Sequence, residues 1–250
     1  MTRKVAVINQ KGGVGKTTTT ANLGYMLAKK GYKVSLIDLD PQGSLTVSLG
    51  VNWQEHPGIE DVLLHGEALS NVIIESRNNL RLIPCGNDLG QVEFMSAESS
   101  AIAKKLKQVV EQLEGDYVLI DCPPSSGFLI VSALYAVEEV LIPIASDYLT
   151  LHGLSHLLGT LKGFEKRLGH KIKKWFVITR FHPRRRLAQD VKAKLESYFP
   201  GQVLQTPIRE TTAVAESPSF GQTVDEYQKN SYGAQDYYSL ADDFCIGRTI

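Results

Sequence analysis

Short apolar runs alternate with longer amphipathic stretches along the chain. The runs are rich in β-branched residues and apolar at consecutive positions, which is typical of parallel strands covered on both faces. Six strands are predicted, at Val5–Asn9, Val34–Asp38, Leu80–Pro84, Tyr117–Asp121, Val140–Ile144 and Phe176–Thr179. Helical spacing lies between them, near Lys16–Lys30, Glu98–Leu113, Gly127–Ala136, Leu151–Leu168 and Leu187–Tyr198.

This alternation predicts an α/β fold, a doubly wound and mostly parallel sheet with helices on both faces. The 250 residues contain no internal repeat, low-complexity tract or linker, so residues 1–250 are expected to form a single domain. Hydrophobic residues make up 43% and charged residues 22%, a globular rather than a disordered composition. Because no signal segment and no run of about 18 apolar residues is present, we expect a cytoplasmic protein that does not span a membrane.

Charge is balanced overall but concentrated in one segment. The chain has 27 Lys and Arg against 27 Asp and Glu, so its net charge attracts neither nucleic acid nor anionic lipid. Residues 162–194, however, carry twelve basic and two acidic side chains, a net of +10. A solvated pair of helices is one interpretation, and a surface for a polyanion is the other. The three cysteines show no paired spacing, which predicts neither a disulfide framework nor a zinc site.

A glycine-rich segment follows the first strand. Residues 10–18 read Gln-Lys-Gly-Gly-Val-Gly-Lys-Thr-Thr and lead into a helix. Gly15, Lys16 and Thr17 match the end of a phosphate loop, whereas Gln10 occupies its first glycine position. The glycines let backbone N–H groups point at phosphate oxygens, and the helix adds the positive end of its dipole. We therefore expect Lys16 to neutralise the β- and γ-phosphates and the Thr17 hydroxyl to ligate Mg²⁺.

Aspartates end two of the predicted strands. Asp121 ends one of them, and Asp38 and Asp40 lie at the end of another. In open α/β sheets, ligands bind at this edge. Asp121 is therefore predicted to support the Mg²⁺ shell, Asp38 to act on the loop and metal, and Asp40 to polarise an attacking water. The alternative for such strand-end aspartates is a helix cap.

Three motifs together resemble the deviant Walker A ATPases of the ParA/MinD class, and most closely the ParA (Soj) branch that partitions chromosomes and plasmids. They are Lys-Gly-Gly-Val-Gly-Lys-Thr-Thr at 11–18, Asp-x-Asp-Pro-Gln-Gly at 38–43 and Asp-Cys-Pro-Pro-Ser at 121–125. Segments 143–154 and 208–221 extend the resemblance over nearly the whole chain. The resemblance implies a P-loop ATP hydrolase that uses ATP and Mg²⁺ and forms a sandwich homodimer.

The resemblance also implies roles for individual residues. Lys11 matches the signature lysine, which in this family reaches across the dimer to the partner's nucleotide phosphates. Lys11, Lys16 and Asp40 would be the catalytic residues, and residues 125–127 would lie in switch II. The metal residues would be Thr17, Asp38 and Asp121. The ATP-binding residues would be Lys11, Gly12, Gly13, Val14, Gly15, Lys16, Thr17, Thr18, Arg180, Pro207, Ile208 and Arg209.

DNA binding and partners follow from the same resemblance. The branch usually carries a DNA-binding arginine near the position of Ala213, so sequence-independent DNA binding would depend on the basic segment instead. The expected DNA-binding residues are Lys173, Lys174, Arg184, Arg185 and Arg186. The implied partners are a second copy of the chain, non-specific DNA and a ParB-like or other cargo adaptor protein, with nucleoid association and no membrane.

Three other functions use the same loop. A ParA-like ATPase can position a protein cargo, such as a chemosensory array, a flagellum or a microcompartment, and the sequence does not separate this from partition. A MinD-like membrane ATPase should end in a basic amphipathic helix, which residues 239–250 do not provide. A metabolic enzyme such as cobyrinic acid diamide synthase is expected to need an added substrate domain, for which 250 residues leave no room.

Overall fold

One seven-stranded sheet organises the chain. The computed structural model describes residues 2–92, 99–125 and 127–250, with the backbone alone at residues 99 and 148–153. The strands are β1 (Arg3–Val7), β2 (Val34–Asp38), β3 (Ile74–Arg77), β4 (Leu80–Ile83), β5 (Tyr117–Asp121), β6 (Glu139–Ala145) and β7 (Lys173–Thr179). Their order in the sheet is β3-β4-β2-β5-β1-β6-β7, and every neighbouring pair is parallel except β3 with β4.

Helices connect these strands. The long ones are α1 (Lys16–Lys29), α5 (Ser99–Gln112), α6 (Phe128–Ala136), α7 (Tyr148–Leu168), α8 (Arg186–Tyr198) and α11 (Tyr232–Ile246). The short ones are α2 (Ser44–Ser48), α3 (Leu69–Val72), α4 (Leu89–Val92), α9 (Thr212–Glu216) and α10 (Val224–Tyr227). Within the described ranges, none of these helices is both long and apolar enough to cross a bilayer.

Both faces of the sheet are buried, as continuous apolar strands require. Successive residues of β1 point to opposite faces: Val5 and Val7 pack in a cluster with Leu23 of α1, whereas Ala6 and Ile8 pack in a second cluster on the other face. The α/β fold with a mostly parallel sheet is therefore confirmed.

The sheet order brings the predicted site residues to one edge. β5 lies between β1 and β2, and its last residue, Asp121, is in register with Val7 of β1 and Asp38 of β2. The loop after β1 and the acidic ends of β2 and β5 therefore meet where the carboxyl ends of parallel strands place a ligand.

The six predicted strands are present: two have the predicted bounds, Val34–Asp38 and Tyr117–Asp121, and four have shifted ends. The first one ends at Val7 rather than Asn9, because the Asn9 side chain turns away to donate to the Pro143 carbonyl (2.8 Å) and to accept from the Lys11 amide (3.0 Å). Of the predicted helix residues, Glu98 lies outside the described residues. The antiparallel strand β3 and the C-terminal helix α11 were not predicted.

Candidate nucleotide site

The phosphate loop joins β1 to α1. Gly13 and Gly15 have positive φ angles of 71° and 88°, a conformation that side chains with a Cβ rarely adopt. Gly15 is the N-cap of α1 and brings no side chain to cap it, so the first N–H groups of the helix face the loop. Thr179 at the end of β7 donates to the Val14 carbonyl (2.8 Å) and fixes the loop against the sheet. The backbone thus forms a cradle for an anion.

Lys16 supplies a positive charge inside this cradle. It is 6% exposed, and its Nζ lies 3.5 Å from the Lys11 carbonyl oxygen. Burial lowers the pKa of Lys16, while the nearby charges of Asp121 and Asp40 oppose that shift. A buried ammonium is costly without a partner anion, so a phosphate is well suited to this position.

Thr17 and Asp121 lie together, as predicted for the metal site. The Thr17 hydroxyl donates to Asp121 Oδ2 (2.7 Å), and the Thr20 hydroxyl donates to Oδ1 (3.1 Å). Burial, followed by the charge of Asp38, raises the pKa of Asp121 to about 8. Two buried carboxylates side by side are stabilised by a cation, and hydroxyl and carboxylate oxygens are ligands that Mg²⁺ prefers. The residues present therefore suit Mg²⁺.

Asp38 makes local hydrogen bonds that were not predicted. Its carboxylate accepts from the backbone N–H (2.8 Å) and hydroxyl (2.7 Å) of Thr46 in α2 and from the Asp40 backbone N–H (3.2 Å). Burial raises the pKa of Asp38 to about 6. Asp38 thus binds α2 to the end of β2, and its charge helps to raise the pKa of Asp121. Direct ligation of the metal by Asp38 stays a prediction.

Asp40 lies beside the phosphate loop. It is 7% exposed, and its Oδ1 accepts from the Gln42 backbone N–H (3.0 Å) in a local turn. The segment then turns at Gly43, whose φ is 63°, and enters α2. The charge of Asp40 acts to raise the pKa of Lys16 against the effect of burial. Its role in activating water stays a prediction.

Lys11 lies at the rim of the cradle. Its Nζ donates to both carboxylate oxygens of Asp147 (2.7 and 2.8 Å), and the two side chains are 34% and 44% exposed. Asp147 precedes α7, whose His156 also contacts the phosphate loop through Gln10 (Nδ1 to Oε1, 2.8 Å). The signature lysine is thus oriented towards α7, whereas Lys16 is oriented into the loop.

A cavity of about 230 Å³ adjoins the phosphate loop. Of the predicted ATP-binding residues, Thr18, Arg180, Ile208 and Arg209 are among those that line it, whereas Pro207 is not. Thr179 and four residues of the segment 208–221, which carries part of the family resemblance, also line it: Glu210, Thr211, Val214 and Ala215. Sequence reasoning missed Tyr237, which lies late in the chain on α11. A cavity beside a phosphate cradle is placed to hold the nucleoside part of a nucleotide.

The predicted DNA-binding residues lie at the two ends of β7. Arg184, Arg185 and Arg186 are exposed where β7 leads into α8. Lys173 and Lys174 begin β7, about 20 Å away along the strand. Lys174 is also half-buried and bonded to Glu165. DNA binding by these five residues stays a prediction, in which the two lysines and the three arginines would contact DNA from opposite ends of β7.

Switch II is described in part. Ser126 lies outside the described residues. At its neighbours, the Gly127 backbone N–H donates to the Ser125 hydroxyl (3.3 Å). The role of this segment stays a prediction.

Several known proteins are similar to this chain in sequence and in fold. A family model described as an AAA domain matches residues 2–174. The chromosome-partitioning ATPase Soj of Thermus thermophilus is 38% identical over 244 residues, covering 96% of this chain and 94% of that protein. The chromosome partitioning protein ParA of Caulobacter vibrioides is 34% identical over 246 residues, covering 96% and 92%.

A solved structure corrects one expectation. The cobyrinic acid a,c-diamide synthase of Mycobacterium smegmatis with bound ADP and magnesium has a TM-score of 0.82 and 32% identity, covering 100% of this chain and 98% of that chain. The argument that such an enzyme needs an added domain is therefore wrong, since that chain has almost no residues beyond those matched here.

The phosphate cradle, the Thr17–Asp121 pair and the adjoining cavity agree with what these proteins bind. The site takes ATP with Mg²⁺, and the protein is an ATP hydrolase. The family model covers residues 2–174, and Soj and ParA are 38% and 34% identical to this chain over 96% of its length. The chain therefore belongs to the ParA/Soj-type P-loop ATPases.

Proposed function

We propose that ATP and Mg²⁺ join two copies of this chain through their phosphate loops, and that the ATP dimer binds DNA without sequence preference. Hydrolysis, stimulated by a ParB-like adaptor, then releases the dimer. This cycle drives the segregation or positioning of a chromosome, plasmid or other cargo on the nucleoid, in the cytoplasm. The names of the Soj and ParA relatives support partition as the process.

One observation carries the proposal: the loop has two lysines with different positions. Lys16 is buried and directed into its own cradle, where it can neutralise the phosphates of the bound nucleotide. Lys11 lies at the rim, where Asp147 holds it. Lys16 therefore supplies the positive charge inside the cradle, and Lys11 supplies a second positive charge at its rim. If Lys11 binds the nucleotide of the partner chain, dimerisation would depend on whether that nucleotide carries the γ-phosphate.

The chemistry would be positioning and charge neutralisation. Thr17 and Asp121 would hold Mg²⁺, which supplies positive charge to the phosphate oxygens. Lys16 and the loop N–H groups hold the β- and γ-phosphates, and Asp40 orients water towards the terminal phosphate. Little covalent work falls to the protein, so slow turnover that a partner accelerates is expected.

Arg184, Arg185 and Arg186 are the proposed DNA contacts. They follow the strand end that carries Arg180, so they lie near the nucleotide cavity. Arg185 is 3.6 Å from Glu210, another residue of that cavity. One chain offers few simultaneous phosphate contacts, whereas a dimer presents two arginine clusters and gains by effective concentration.

DNA binding by charge-reversal variants tests the proposal. Replacing Arg184, Arg185 and Arg186 by Glu should abolish ATP-dependent binding to unrelated duplexes and leave basal ATP hydrolysis unchanged. The matched control replaces three exposed cations of α7, Lys162, Lys166 and Arg167, by Glu. Its affinity for DNA should stay within a few-fold of the wild-type affinity. Binding by the wild type should also weaken with salt, by roughly 0.9 in logarithmic slope for each phosphate neutralised.

The outcomes separate the alternatives. If the arginine variant binds DNA like the wild type, these arginines are a solvated surface and the proposed DNA site is wrong. If both variants lose binding equally, binding depends on overall charge rather than on the arginine cluster. If wild-type binding is the same with and without ATP, the dimer is not what binds DNA.

A second candidate function is favoured by the solved synthase structure. That protein is named a cobyrinic acid a,c-diamide synthase, and this chain is 32% identical to it over its whole length. In that case ATP hydrolysis would depend on a carboxylic acid substrate and a nitrogen donor, not on DNA or an adaptor. Turnover measured with cobyrinic acid and glutamine, and separately with duplex DNA, distinguishes the two functions by which addition stimulates it.

A further inference from the structure

The last long helix, α11, holds one wall of the nucleotide cavity. Asp236 and Asp243 are seven residues apart on this helix and lie on one face of it. Asp243 Oδ2 accepts from the Thr206 backbone N–H (2.8 Å), and Asp236 Oδ2 accepts from the Arg209 backbone N–H (2.9 Å). The loop 206–209 is therefore bonded at both ends to one rigid element.

Asp236 also binds the side chain of Arg209. The guanidinium Nε donates to Oδ1 (3.1 Å) and Oδ2 (2.9 Å), and Nη2 donates to Oδ1 (2.6 Å). The guanidinium carbon lies 4.2 Å from the centre of the Tyr232 ring. Asp236 is 6% exposed, and its hydrogen bond raises the pKa of Arg209. Arg209 is therefore fixed in place with its charge compensated.

These contacts bear on the wall of the nucleotide cavity. Ile208 and Arg209 line the cavity together with Gly13 and Gly15 of the phosphate loop, and α11 also contributes Tyr237 to the lining. Tyr237 is 1% exposed, and its hydroxyl is 3.5 Å from that of Thr19 in α1. The phosphate cradle is built by β1 and α1, so the nucleoside part and the phosphates are held by different elements.

We infer that Asp236 is a positioning residue for the nucleoside part of ATP. By fixing Arg209 and the loop 206–209, it sets the affinity for the nucleoside and the preference for its base, and it does not touch the phosphates. The inference concerns the ATP site itself and is independent of dimerisation and DNA binding. It assigns a role in nucleotide binding to a helix near the end of the chain, beyond the loop motifs.

Asp236→Asn and Asp243→Asn form a matched pair of variants. Each keeps a side-chain oxygen that can accept the backbone N–H of the loop, and each loses one ion pair, with Arg209 or with Arg248 (2.6 Å to Asp243). Of these two arginines, Arg209 is the one that lines the cavity. A merely structural role predicts similar effects from both substitutions, whereas a positioning role predicts an effect on nucleotide binding from Asp236→Asn alone.

Calorimetry with ATP, GTP and inorganic tripolyphosphate, combined with steady-state ATP hydrolysis, tests the inference. Asp236→Asn should weaken ATP binding about tenfold, as expected for loss of a hydrogen-bonded charge pair. It should also reduce the difference between the affinity for ATP and the affinity for GTP. Its affinity for tripolyphosphate and its kcat at saturating ATP should stay unchanged. Asp243→Asn should bind ATP within about twofold of the wild type.

Two results would overturn the inference. One is wild-type ATP affinity in Asp236→Asn. The other is an equal loss of ATP and tripolyphosphate affinity, which would place the effect on the phosphates. If Asp236→Asn does not fold, Arg209→Gln removes the same ion pair from its more exposed side. It should weaken ATP binding without weakening tripolyphosphate binding, and wild-type ATP affinity in that variant would equally reject the inference.

Discussion

The ion pair between Lys11 and Asp147 predicts that Asp147→Asn strengthens ATP-dependent dimerisation. In the structure, both carboxylate oxygens of Asp147 accept from Lys11 Nζ. If Lys11 must reach a partner's nucleotide, this pair has to break each time two chains associate. Asparagine keeps the size of the side chain but removes its charge, so Lys11 is held less tightly in its own chain.

The size of the effect follows from exposure. The two side chains are 34% and 44% exposed, and exposed ion pairs contribute about 0.2 to 1 kcal/mol. A symmetric dimer breaks two of them, which gives about 0.4 to 2 kcal/mol in the free energy of association. Since 1.4 kcal/mol is a factor of ten, the dimer dissociation constant in MgATP should fall by about 2- to 30-fold.

Sedimentation equilibrium in MgATP measures this dissociation constant. The control is Asp242→Asn on α11, which removes an ion pair between an aspartate of similar exposure (45%) and Lys30 (2.9 Å) at the end of α1. The control should dimerise like the wild type. An unchanged dissociation constant in Asp147→Asn would refute the idea that Asp147 of the same chain and the nucleotide of the partner chain compete for Lys11. A weaker dimer would show that Asp147 instead presents Lys11 to the partner.

Three further predictions concern the catalytic edge. Lys16→Ala should abolish ATP binding in calorimetry, because the cradle loses its buried cation; wild-type affinity would reject the phosphate-loop assignment. Asp40→Ala should bind ATP but hydrolyse it far more slowly, and wild-type turnover would exclude a role in orienting water. The nucleotide-free protein should lose stability from pH 6 to 8. The pKa of Asp121 is raised to about 8, so the folded chain holds a proton that the unfolded chain releases. Chemical denaturation should show this slope in the wild type and not in Asp121→Asn.

The edge of the sheet that is predicted to hold the phosphates could be located from the sequence, because each of its motifs lies at the end of an apolar strand. The loop at 10–18 and the aspartates at 38, 40 and 121 each follow an apolar strand, and parallel strands place their carboxyl ends together. Asp38 shows the limit of this reasoning. Its position was predicted, but its bonds to Thr46 depend on where α2 packs.

The nucleoside cavity could not be predicted in full, since its wall comes from segments separated by up to about 200 residues. α11 has recognisable ends, with Ser231 as the N-cap and Gly247 in the left-handed conformation after the last turn. Those signals are typical of a helix, although no helix was predicted there from the sequence. They do not predict that Asp236 meets Arg209, which depends on how α11 packs beside the loop 206–209.

The basic segment shows what a count of charges along the sequence leaves out. Lys173 and Arg184 are eleven residues apart in the sequence, but most of the residues between them form the extended strand β7. An extended strand separates its ends by about 3.3 Å per residue. A count of charges in one segment therefore does not show how far apart those charges lie in the fold.

Sedimentation velocity across nucleotide states tests the central claim most directly. The wild type should sediment as a monomer of 27.6 kDa without nucleotide and in MgADP, and as a dimer in MgATP. Lys11→Ala should bind ATP and stay monomeric in MgATP, because the cation that crosses to the partner is gone. A wild-type protein with the same mass in all three states, or a Lys11→Ala variant that dimerises normally in MgATP, would contradict the proposed ATP-controlled dimer.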